Sequence, residues 1–168
     1  MPSGTKEPII PIKEFDAEMA TTRKMLENLP TDKDNFKPHE KSMEFGRLVR
    51  LVSIIPSWMV AALREESFDL SAGAHYATMK ASDILTTFDK NVAEVRTALQ
   101  QVTGEALDEK WSLKAGEKVL MTMSRGEATR QDLNHLIHHR GQLAAYERML
   151  DMKLPQIYGP SADVPWQG

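Results

Sequence analysis

Three of the five histidines, His135, His138 and His139, fall inside the stretch NHLIHHRGQL at residues 134–143. On a helix turning about 100° per residue, His135 and His139 stand one turn apart on the same face, with Gln142 below His135 and Asp132 on the same stripe. Two imidazoles at i and i+4 can aim two nitrogen lone pairs at one divalent cation. His138 lies roughly 60° from His135 and 100° from His139, so it joins such a pair only with strain and otherwise faces a neighbouring helix or solvent. Two ligands make a weak site. Catalytic cations usually take three protein ligands and keep one position open, so a third ligand must come from another helix. Asp132 is placed to accept the other ring N–H of His135 and fix its tautomer. Gln142 is placed either to orient a substrate oxygen or water, or simply to make a hydrogen bond along the helix face. Tyr146, one turn further on, either reaches a pocket with its hydroxyl or packs in the core. The bland alternative for the whole stripe is a polar helix surface, and spacing alone leaves both open.

The elements that must position these side chains follow from apolar periodicity. Ile12, Phe15, Met19, Met25 or Leu26, and Leu29 form one helical stripe that ends before Pro30. TDKDNFKPHEKS then reads as a polar connection. A second helix opens at Ser42 or its neighbour and carries Phe45, Leu48, Leu51, Val52, Ile55, Met59 and Leu63, with Pro56 predicting a bend near Val52. SFDLSAGAHYATMKA reads as a loop. Leu85, Phe88, Val92, Val95, Leu99 and Val102 make a narrow third seam, with Gly104 as its stop. Residues 111–123 alternate with period two around Ala115 and Gly116, which predicts a small hairpin or strap. Ser124 and Glu127 form a possible capping box, and Leu133, Leu136, Ile137, Leu143, Ala144 and Leu150 carry the closing helix to about residue 150. Residues 1–10 and 155–168 are expected to be irregular. The sum is one all-α domain over 1–168, a four-helix bundle with a short strap before its last helix. The ten methionines suit the core of such a bundle.

Composition narrows the chemistry. With no cysteine there is no thiolate ligand, thiol nucleophile or disulfide, so any site uses nitrogen and oxygen. The start, MPSGTKEPIIPIKEF, lacks an export signal, and no stretch reads as a membrane span, so the expectation is a soluble cytoplasmic protein without a membrane partner. Twenty-one basic and 24 acidic residues, net charge -3, leave no basic stripe for nucleic acid. Trp58, Trp111 and Trp166 read as packing anchors. Arg140 is expected to pair with an acid of another helix or to line a dimer interface, and Gly141 to allow a close backbone approach.

NHLIHHRGQLAAYERMLDMKLPQIYGPSAD resembles the DinB-like superfamily, whose closing helix carries HxxHHRGQ before an IYGPSAD tail. KPHEKSMEFGRLVRLVSIIPSWM, LTTFDKNVAEVRTAL and WSLKAGEKVLMTMSR are similar to the same superfamily's second helix, third helix and final connection, so the resemblance spans most of the chain. It implies an up-down-down-up four-helix bundle, commonly a homodimer. It also implies a divalent cation, zinc, nickel or manganese, on three histidines, two of which map onto His135 and His139. The third belongs to the second helix in a pattern like LGxLxxHxxxLP. Here FGRLVRLVSIIP keeps Gly46 and Pro56 but places Leu51 where the histidine stands. Leucine donates no lone pair and desolvates its surroundings, which weakens the site. His39, His75, Glu44 and Glu65 are the available substitutes, all out of register. The resemblance implies a metal-dependent enzyme, a transferase acting with a low-molecular-weight thiol or a hydrolase, with a degenerate site. The alternative is a metal-free bundle that binds a small ligand or only dimerises. No catalytic residue is assigned by sequence. If the register of the second helix is right, Leu51→His creates or strengthens zinc or nickel binding at least about tenfold; calorimetry showing no gain over the parent means that register is misread.

Overall fold

The computed structural model describes residues 9–72 and 79–166; His75 lies outside them. The first stripe forms α1 (Ile12–Met25), which buries Phe15, Met19, Thr22 and Met25. It ends four residues earlier than its apolar pattern, in a turn where Asn28 takes φ 57°, a left-handed conformation that asparagine tolerates. The polar connection then docks its backbone on the start of α2 (Phe45–Arg64). Phe45 N donates to Phe36 O at 2.9 Å and Gly46 N to Asp34 O at 3.0 Å, satisfying amides that a helix start leaves free. A Cβ on Gly46 would sit 2.6 Å from Asp34 Cγ, so any larger residue here must push the Asp34 side chain aside. Gly141, where a close approach was expected, has open space around it.

Fourteen of the 20 residues of α2 are buried. By length and composition this helix could cross a membrane, contrary to the expectation that no stretch is apolar enough; most of it is buried in the protein, as in a core helix. It packs chiefly against α3 (Ile84–Gln101) and α5 (Arg125–Met149), with α1 packed on α3. Gly104 does not stop α3. It opens α4 (Gly104–Asp108), capped by Thr103, whose hydroxyl accepts from Ala106 N at 3.2 Å.

The chain is mostly helical but not all-α. The loop expected after α2 contributes β1 (Ser67–Asp69), parallel to β2 (Lys110–Ala115), and β2 pairs antiparallel with β3 (Lys118–Ser124) in the order β1-β2-β3. The hairpin turns at Gly116, φ 60°, the left-handed region that glycine supplies. Asp69 ties the turn down: its Oδ1 accepts from Gly116 N at 2.9 Å and from Ser71 N at 2.8 Å. A three-residue strand whose partner lies more than 40 residues away has no period to read. The hairpin leads into α5 through a full capping box, in which Ser124 Oγ accepts from Glu127 N and the Glu127 carboxylate accepts from Ser124 N.

The buried face of α5 is unusually polar, holding Arg125, Thr129, Arg140 and Glu147. Arg125 donates to the backbone oxygens of Ala62 and Glu65, satisfying carbonyls at the end of α2, and pairs with Glu109 at 3.0 Å. Arg140, 1% exposed, pairs at 2.7 Å with Glu18 of α1 and donates to Thr22 Oγ1 at 3.2 Å and Tyr158 OH at 2.7 Å. The Tyr158 hydroxyl in turn donates to the Glu18 carboxylate. The irregular tail is therefore fastened: Asp163 accepts from Leu154 N at 2.9 Å and pairs with Arg148. Because removing one partner of a buried pair strands the other, Arg140→Ala is expected to cost about 3 kcal/mol in urea unfolding, against under about 1 kcal/mol for Arg96→Ala, whose partner Asp16 is exposed.

Candidate functional site

The histidine stripe sits midway along α5. His135 Nε2 and His139 Nε2 are 2.8 Å apart, and His139 Nδ1 is 2.8 Å from Gln142 Oε1. An amide oxygen only accepts, so His139 Nδ1 donates to it. The neutral His139 ring then accepts through Nε2 from His135 Nε2–H. The tautomers are thus set from the Gln142 end. Asp132, expected to hold His135, makes no hydrogen bond among the described residues; its carboxyl faces a cavity instead. Burial, and then the charges of the neighbouring rings, hold the His135 pKa below its usual value. Burial likewise lowers His139, partly offset by Gln142, with His138 lowering it further. At neutral pH both rings are uncharged.

His138 is exposed, its ring centroid 5.0 Å from that of His139. Leu51 is buried in the hydrophobic core at 3% exposure. Tyr146 is in the core as well, donating to Met43 O at 3.1 Å and meeting Phe36 edge-on, and it does not line the cavity. His39, Glu44 and Glu65 are exposed. Trp166, expected to anchor packing, is 71% exposed.

The two Nε2 atoms converge on one point. A tetrahedral cation with bonds of about 2.1 Å would hold them about 3.4 Å apart, so a modest opening of the pair would admit one. The donor set is still short. Among the described residues no group of three or more histidine, aspartate or glutamate side chains could hold a metal ion. Within the described residues, the two imidazoles fall one short of a three-ligand cation site.

Beside the pair lies a cavity of about 240 Å³ between α2, α5 and the sheet. Trp58 of α2, Phe68 and Leu70 at β1, and Ala128 of α5 supply part of its apolar wall. The hairpin supplies the rest from one face: Trp111 lies opposite Met123 and Leu113 opposite Met121. Gln131, Asp132 and His135 form the polar side, and the His135 ring lies 5.6 Å from that of Trp58. The i, i+2 pattern of Trp111 with Leu113 and Met121 with Met123 was a readable signal that these four share a face. What that face meets was not readable.

Burial raises the Asp132 pKa to about 7. Its folded value exceeds its unfolded one, so the native state binds more protons between about pH 4 and 7, and this group's contribution to stability falls as pH rises through that window. Asp132→Asn is therefore expected to gain thermal stability relative to the parent between pH 4 and 7 and hold a constant margin above it; parallel Tm–pH curves would contradict this.

Comparison with known proteins agrees with this architecture. The sequence pattern described as the DinB family matches residues 11–165. A DinB-like protein from Bacillus subtilis superposes with a TM-score of 0.66 at 20% identity, covering 87% of this chain and 95% of that one. One from Bacillus cereus gives 0.68 at 21% identity, covering 88% and 95%. At such identities the likeness is one of fold. Among curated proteins, none matches the sequence.

Proposed function

The chain belongs to the DinB family, and from that premise we propose that it binds a small, largely apolar molecule in the cavity between α2, α5 and the hairpin. Asp132 and His135 meet the polar part of that molecule. The observation that carries this reading is a cavity of about 240 Å³ walled by aromatic, aliphatic and thioether side chains, with a few polar groups gathered on one side. The four long helices serve as a bundle-like scaffold for it. The metal-dependent transferase or hydrolase is the weaker reading, because Leu51 supplies no donor and the remaining pair falls short of the three ligands that a catalytic cation takes.

In this reading His135 and His139 act as a hydrogen-bonded relay. Gln142 holds His139, and His139 holds His135 with its Nε2–H committed to the partner ring. That leaves the Nδ1 lone pair of His135, which meets no donor among the described residues, as the relay's acceptor. Asp132 changes charge near neutrality, so the polar side of the cavity can either donate or accept a proton there. The test is a set of small aromatic fragments, neutral and charged, screened by ligand-observed NMR. Fragments are expected to share one site and to lose at least about tenfold in affinity in Met121→Trp, which fills the cavity from the partly exposed hairpin. An absence of hits, or hits indifferent to Met121→Trp, would overturn the reading.

A further inference from the structure

The lining of the cavity narrows the charge of its ligand, an inference that rests on the small-ligand reading above. Three aromatic rings, Trp58, Phe68 and Trp111, stand in the wall, with the Trp58 and Phe68 centroids 5.9 Å apart. Trp58 and Trp111 are 9% and 6% exposed. Their indole nitrogens are buried and have no acceptor among the described residues, so a ligand meets ring carbon there and not an N–H donor.

Among the described residues, the ionisable groups of the lining are one carboxyl, Asp132, and one imidazole, His135, with no lysine or arginine. His135 is held neutral by burial. An anionic ligand would therefore meet no positive charge and would face a carboxylate. A neutral apolar ligand would fill the volume but leave a desolvated carboxyl without a partner, which is costly. A cation with apolar substituents satisfies both halves of the wall: its charge faces the carboxylate, and its substituents lie among rings whose negative faces attract positive charge.

We propose that the cavity takes a small organic cation, an ammonium group carrying apolar substituents, with Asp132 as its counter-charge and Trp58 and Trp111 as its aromatic walls.

The test compares phenyltrimethylammonium with tert-butylbenzene, which has the same shape without the charge. Binding at pH 8 is followed by tryptophan fluorescence in a Trp166→Phe background, so that the signal comes from Trp58 and Trp111. The cation is expected to bind at least about tenfold more tightly than its isostere, with that margin lost in Asp132→Asn and narrowed in Trp111→Leu. Equal or tighter binding of tert-butylbenzene overturns the charge assignment and leaves the small-ligand reading standing. A margin that survives Asp132→Asn overturns it too, as does binding of neither compound; the Met121→Trp fragment screen judges the small-ligand reading separately.

Discussion

The constraint on which the rest depends is the burial of α2. Its 20 residues are apolar enough for a bilayer, and in water they must be covered on nearly every side. α3 and α5 cover much of that surface. The far end of α2 needs more than helices. There Trp58 and Ala62 lie under β1 and the hairpin, with Trp111 and Ala128 packed against Ala62. The sheet is thus a cover for the end of α2, and the cavity is the space that this cover leaves unfilled.

Long-range polar ties hold the cover and the helices in register. Arg125 joins the start of α5 to the last carbonyls of α2, while Arg140 joins its middle to Glu18 of α1 and, through Tyr158, to the tail. Glu147 is the counterexample. It is 1% exposed, its Oε1 has no partner among the described residues, and burial pushes its pKa up to about 8, so it sits in the core as a neutral acid at neutral pH. Glu147 apart, α5 combines a structural face of satisfied polar groups with a second face where, among the described residues, His135, His139 and Gln142 bond to one another.

That division separates the two meanings of the histidine stripe. The spacing which suits a cation also suits an imidazole pair sharing one hydrogen, and the second arrangement needs no third ligand. Leu51, where the resemblance expects a histidine, is buried in the apolar core, and the pair's own hydrogen bond is the arrangement that the proposed function takes up. The cavity's chemistry is then governed by Asp132 and the aromatic wall, with His135 belonging to both.

Much of the scaffold was legible from local pattern. The apolar stripes of the helices, the period-two alternation on either side of Gly116, the Ser124–Glu127 box and the shared face of His135 and His139 are all set by neighbours within a few residues, where backbone geometry dictates which side chains align. Tertiary structure alone decided the rest. β1 is too short to show a period, and Arg140 found its acid in α1 and not at a surface. The cavity draws Trp58, Phe68, Trp111 and Asp132 from four elements spread over 75 positions of the chain. No local rule relates such residues; their meeting, and the shift in Asp132 that follows from it, depend on how the elements pack and how much water the packing excludes.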